Sequence, residues 1–150
     1  MHLEFRSVGV RDITAGNGVV IVEPCNIYGA RLGDHVFVGP FCEIQEDVVV
    51  GSRTRIQSHS FICQLVTIGS DCFIGHGVMF VNDRLRDGPA HGDTDKWERT
   101  KIGDGVSIGS NTTVLPVVIC SGVVIGAGSV VTNDILEPGT YAGNPARRLA

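Results

Sequence analysis

Apolar residues return along this chain at every sixth position. Counted in sixes from Ala15, the first position of successive hexads reads Ala15, Ile21, Ile27, Leu32, Val38, Ile44, Val50, Ile56, Ile62, Ile68, Ile74 and Phe80, each of them apolar. The fifth position reads Val19, Cys25, Val36, Cys42, Val48, Thr54, Ser60, Val66, Cys72 and Val78, all small or β-branched. Arg31 is the one poor fit, where the hexad beginning at Ile27 is a residue short. Glycine recurs at the second position, at Gly16, Gly33, Gly39, Gly51, Gly69 and Gly75. After an interruption the pattern returns as IGDGVS, IGSNTT, VLPVV, ICSGVV, IGAGSV and VTNDIL, with VLPVV again a residue short. A period of six matches neither the 3.6 of a helix nor the simple alternation of one strand. It predicts short parallel strands joined by tight corners, three hexads closing one triangular coil. The large aliphatic residue fills the interior, the small fifth residue packs beside it, and glycine is expected to let each corner turn. The expected fold class is all-β, a parallel β-helix of hexapeptide repeats forming a single domain over residues 1–150. A β-sandwich with accidental spacing is the alternative.

Composition narrows the class. Hydrophobic residues make up 43% and charged ones 19%, too apolar a balance for a disordered chain. A net charge of −4 offers no footprint for nucleic acid or an anionic membrane. The apolar runs are too short to span a bilayer, and the N-terminal MHLEFRSVGV lacks a signal-peptide pattern, so a cytoplasmic location is expected. Glycine numbers 20, well above the usual ~7%, which points to many positions where a side chain does not fit. The five cysteines (Cys25, Cys42, Cys63, Cys72 and Cys120) contain no CxxC pair and read as small buried residues in a reducing compartment.

The hexads break completely over about 84–100, RLRDGPAHGDTDKWERT, a polar stretch expected to leave the solenoid as an extended loop. Its Trp97 is either an anchor for the loop or a wall for substrate. Near the end stand Ile125-Gly126-Ala127-Gly128-Ser129-Val130-Val131 and Ala142-Gly143-Asn144-Pro145-Ala146, the latter opening a short C-terminal tail. With its hexads, its loop and this AGNPA element, the chain resembles the hexapeptide acyltransferase superfamily from about residue 8 onward. The resemblance implies a left-handed β-helix, acetyl-CoA as acyl donor and a homotrimer with coenzyme clefts between subunits. It assigns coenzyme contacts to Gly109, Gly126, Ala127, Ala142, Asn144 and Arg147. Glycine and alanine permit close approach of an extended pantetheine arm, and Arg147 or Arg148 would meet phosphate.

Within the superfamily, Phe80-Val81-Asn82-Asp83 after the Gly75-His76-Gly77 corner is similar to the FxND segment of enzymes that acetylate nucleotide-linked 3-amino sugars for surface polysaccharides. Arg84 then opens the loop, and Asn26-Ile27-Tyr28-Gly29 and Glu43-Ile44-Gln45 are of the same style. Counting supports a site here independently. With about eighteen residues to a coil, Asn82 lies above Gln64, which lies above Glu46, while His76 lies above Ser58 and diagonal to His59. These residues are expected near one another beside the loop. A histidine suits proton removal from an attacking amine, and an amide suits a developing oxyanion. His76 is therefore the expected base and Asn82 the oxyanion or positioning group, unless the proton passes directly to solvent. His59, Gln64, Asp83 and Arg84 are expected to contact substrate. His2, His35 and His91 read as surface or loop residues. O-acetylation of a sugar or small hydroxyl acceptor is the alternative chemistry. A zinc site of the γ-carbonic-anhydrase kind needs histidines five apart, and no pair here has that spacing, so no metal is expected.

Overall fold

The computed structural model describes residues 1–89 and 92–150; His91, read above as a loop residue, lies outside them. The chain winds into a left-handed parallel β-helix of three sheets, the longest counting eight strands. The first face stacks Val10–Arg11, Asn26–Tyr28, Glu43–Ile44, Phe61–Ile62, Met79–Phe80, Thr113–Val114 and Val130–Val131. The second stacks Thr14–Ala15, Arg31–Leu32, Val49–Val50, Val66–Ile68, Thr100–Ile102 and Val118–Ile119, with Ile135 bridging to Ile119. The third stacks Val20–Ile21, Phe37–Val38, Arg55–Ile56, Phe73–Ile74, Ser107–Ile108, Val124–Ile125 and Thr140–Ala142. Its last partner, Arg147–Arg148, is antiparallel and folds the tail back over the final coil.

Register follows the hexad. Ile27 pairs with Ile44 and Ile44 with Ile62, so first-position residues stack directly on one another. They are buried almost throughout, with Ile27, Ile44, Ile56, Ile62 and Ile74 fully excluded from solvent. Each buried aliphatic side chain contributes about 1.5–3 kcal/mol of transfer free energy, which makes this column the main source of stability. At the open lower end Ala15 is exposed and Ile21 half-buried, because no coil lies beneath them.

The corners correct one expectation. The turn is made not by the second-position glycines but at the fourth position, where His35, Phe41, Asp47, Arg53, His59, Leu65, Asp71 and Asn111 all adopt positive φ, as do Gly77 and Gly105. Second-position glycine serves close approach between coils. A Cβ on Gly51 would lie 2.5 Å from the carbonyl carbon of Gly69, and one on Gly75 would lie 2.7 Å from the Ile108 oxygen. The two short hexads lose their residue inside the corner. Ala30 and Val117 therefore take the buried position, and Arg31 and Val118 point outward as ordinary strand residues. Arg31 is thus no misfit. The loop is also slightly narrower than expected, since Thr100 already pairs with Val66 and is buried.

Candidate active site

The chain enters the first face at one edge and leaves it at the other, and the predicted site residues divide between these edges. At the entry edge, corner residues stack through main-chain hydrogen bonds: His59 N–H to Pro40, Gly77 N–H to Ser58, Asn111 N–H to His76 and Gly128 N–H to Ser110. His76 is exposed, and its Nδ1 lies 2.9 Å from the Ser58 hydroxyl oxygen. That contact occupies one ring nitrogen and leaves Nε2 without a protein partner among the described residues. If Nδ1 carries the hydrogen and donates to Ser58, Nε2 is the basic lone pair. One coil below, the His59 ring stacks on Phe41 with centroids 4.9 Å apart and planes 21° apart.

Directly above His76 the same edge is built of small residues. Gly75, Gly109, Gly126 and Ala142 form one column, in which a Cβ on Gly126 would lie 2.9 Å from that of Ala142. Beside it Ser110 and Ala127 continue the column that His76 begins. Of the predicted coenzyme residues, Gly109, Gly126, Ala127 and Ala142 are therefore contiguous with His76. Asn144 sits in the exposed turn that follows Ala142. Arg147 pairs with Ala142 across the antiparallel strands and is exposed, whereas Arg148 is held by Glu137 at 2.8 Å.

The exit edge holds the other group. The Asn82 amide donates to the Gln64 carbonyl at 3.3 Å, and the Gln64 amide donates to the Glu46 carboxylate. The counted column Glu46–Gln64–Asn82 is thus present as a hydrogen-bonded ladder. The loop closes onto it, with Glu98 N–H donating to the Asn82 carbonyl at 2.8 Å. The Asp83 carboxylate accepts the Leu85 N–H at 2.8 Å and so shapes the loop's first turn. Arg84 donates to the carbonyls of Pro116 and Thr132 on the coils above, and its Nε lies 3.3 Å from Glu98. Its two terminal nitrogens are thereby engaged by the protein while the buried Nε makes no hydrogen bond among the described residues, and the side chain fastens the loop to the stack. Trp97 is half-buried within the loop. A charged cavity of about 190 Å³ opens beneath, lined by Asp83, Arg84, Arg86, Asp87, Lys96 and Glu98.

Five residues lie between His76 and Asn82, so at most about 20 Å of extended chain joins them, with the strand Met79–Phe80 in between. The two residues expected at one site therefore stand at opposite edges of the first face. Counting in eighteens found each column but not the edge it occupies.

Sequence reading also missed three features. Ser58 was counted only as the residue beneath His76, yet it is that ring's hydrogen-bond partner. Phe41 carries no motif. On the first face, Glu43 accepts from Asn26 at 3.2 Å and Gln45 at 3.0 Å, while Asn26 accepts from Arg11 at 2.9 Å. Their stacking spacing was the available signal. Among the described residues no group of His, Cys, Asp or Glu is placed to hold a metal ion. No helix there is long and apolar enough to cross a membrane.

Similarity to known proteins agrees with the geometry. A bifunctional protein GlmU of Rubrobacter xylanophilus is 39% identical over 121 residues, covering 79% of this chain but 23% of that protein. The chain thus spans about a quarter of the length of such relatives. Among solved structures, AntD, an N-acyltransferase from Bacillus cereus solved with dTDP and coenzyme A, superposes with a TM-score of 0.79 at 21% identity, covering 91% of this chain and 82% of that one. A hexapeptide-repeat acetyltransferase from Vibrio cholerae with acetyl coenzyme A gives 0.67 at 25% identity, covering 81% and 70%. The perosamine N-acetyltransferase of Caulobacter crescentus, with coenzyme A and GDP-perosamine, gives 0.69 at 22%, covering 94% and 57%. Residues 29–64 and 99–133 match the family described as bacterial transferase hexapeptide (six repeats). With its stacked register and buried first positions, the chain is a hexapeptide-repeat protein of the left-handed β-helix type.

Proposed function

We propose that this chain is an acetyl-CoA-dependent N-acetyltransferase acting on the amino group of a nucleotide-linked amino sugar, working in the cytoplasm as a homotrimer. The observation that carries the reading is the His76–Ser58 pair at the foot of the small-residue column Gly109, Gly126 and Ala142. A thin, glycine-lined edge accepts an extended thioester-bearing arm and ends beside a free imidazole nitrogen. The relatives solved with coenzyme A, and with GDP-perosamine or dTDP, support the same class of substrates.

The thioester supplies an acetyl group that is already activated. His76 Nε2 takes the proton from the sugar amine as its nitrogen bonds to the acetyl carbon, and the same proton can then pass to the departing thiolate as the carbon–sulfur bond breaks. The Asn82 amide donates to the carbonyl oxygen as it gains negative charge. Because His76 and Asn82 occupy opposite edges of one face, the two meet only where the entry edge of one subunit lies against the exit edge of another. A closed trimer repeats that contact at three equivalent clefts.

The test is thiol release from acetyl-CoA against a panel of nucleotide-linked amino sugars and their hydroxyl counterparts. Free coenzyme forming only with amino acceptors is the expected result. Release only with hydroxyl acceptors would make the enzyme an O-acetyltransferase, and no release with any acceptor would overturn the reading.

A further inference from the structure

Phe41 is an exposed aromatic ring at a corner of this scaffold. It sits at a fourth-position corner with φ +62°, a conformation that favours glycine, asparagine or aspartate, and it is 56% exposed. His59, directly above it, has φ +63° and is also exposed. Two stacked rings thus stand exposed at neighbouring corners, in the left-handed backbone that the whole fourth-position column shares, and their exposure marks them for something other than core packing.

What lies beside Phe41 says what that is. A cavity of about 260 Å³ opens at its rung, lined by Val8, Pro24, Cys25, Asn26, Cys42 and Glu43 together with Phe41 itself. Its walls are apolar and its polar rim is confined to Asn26 and Glu43. An aromatic face, apolar walls and a short polar rim together fit a flat heterocycle that stacks on one face and hydrogen-bonds along one edge. His59 backs the Phe41 ring from the other side and holds it in place. The cavity lies two to three rungs below His76, about 10–14 Å at the spacing of stacked strands. That is the span over which a nucleoside and diphosphate separate a base from its sugar.

We infer that Phe41, backed by His59, is the stacking platform for the nucleobase of the sugar nucleotide, and that Glu43 and Asn26 read its edge. The inference rests on the proposed function and deepens it. A carboxylate only accepts hydrogen bonds, so Glu43 pairs with an N–H on the edge of the base. His59 contacts substrate through Phe41 and the base rather than through the sugar amine.

The experiment measures binding of GDP, UDP and dTDP to wild-type protein and to Phe41→Asn and Phe41→Tyr by calorimetry, with sedimentation and thermal melts on each. Asparagine tolerates the left-handed corner, so Phe41→Asn should melt no lower than wild type. It should nevertheless weaken the preferred nucleotide at least tenfold, leave the KM for acetyl-CoA unchanged and keep the same assembly. Phe41→Tyr should bind within threefold of wild type. Unchanged nucleotide affinity in Phe41→Asn overturns the platform while leaving the acetyltransferase reading intact. Loss of assembly together with nucleotide binding would make Phe41 an interface residue and overturn it as well. If wild-type protein binds none of the three nucleotides, the platform and the nucleotide-linked substrate both fall.

Discussion

At the scale of single residues, the fifth hexad position does more than fill space. Thr54 donates to the Gly69 carbonyl at 2.8 Å, Ser60 to Gly75 at 2.9 Å, and Cys42 and Cys72 to Gln57 and Gly103 at 3.1 Å each. Each small donor satisfies a second-position carbonyl on the coil above, where the strand ladder has ended. The mixture of Cys, Thr and Ser in the sequence therefore has one cause, a buried acceptor that needs a compact donor. Thr54→Val keeps shape and leaves the Gly69 carbonyl unpaired, so it should lower unfolding free energy by about 1–3 kcal/mol in urea, with Thr54→Ser near wild type. Burial also raises the Cys42 and Cys63 thiols from 9.0 to about 11. A proton held more tightly in the folded state stabilises it below pH 9, and that contribution disappears as pH rises through about 11. Unfolding midpoints should fall across that alkaline window, and Cys63→Ala should make the fall shallower.

At the scale of elements, coil, corner and loop follow different rules. A strand of two residues has almost no independent stability, so each persists because its hexad stacks on coils above and below. Corners were misread because glycine at the second position is easy to see, whereas a positive φ shared by His35, Arg53 and Leu65 leaves no compositional mark. The loop's position was legible because the hexads stop there. Its fastening was not, because Arg84 reaches Pro116 and Thr132, far along the chain. Arg84→Met should raise the rate of limited proteolysis within residues 85–99 on the order of tenfold while the melting temperature of the stack shifts little. Cleavage at the wild-type rate would show that the loop is held by other contacts.

At the scale of the whole molecule, the proposed roles of His76 and Asn82, set at opposite edges, would make assembly part of the chemistry. If each site takes its histidine from one subunit and its asparagine from the next, His76→Ala and Asn82→Ala trimers should both be nearly inactive. Unfolded together and reassembled at equal amounts, they should recover about a quarter of wild-type activity, the fraction of interfaces that pair an intact histidine with an intact asparagine. Recovery of none would place both residues in one subunit's site, or neither in any. The sequence by itself determined the period, the buried column, the stacking partners of Asn82 and His76, and the point where the loop leaves. All of these are set by spacing along the chain, and a stacked coil converts spacing directly into neighbours. Only the tertiary structure decided which edge each column occupies, which backbone position turns the corner, that Ser58 holds His76, and that Phe41 faces a cavity. Those depend on the direction in which a side chain leaves the coil and on residues from distant rungs, and a one-dimensional count carries neither.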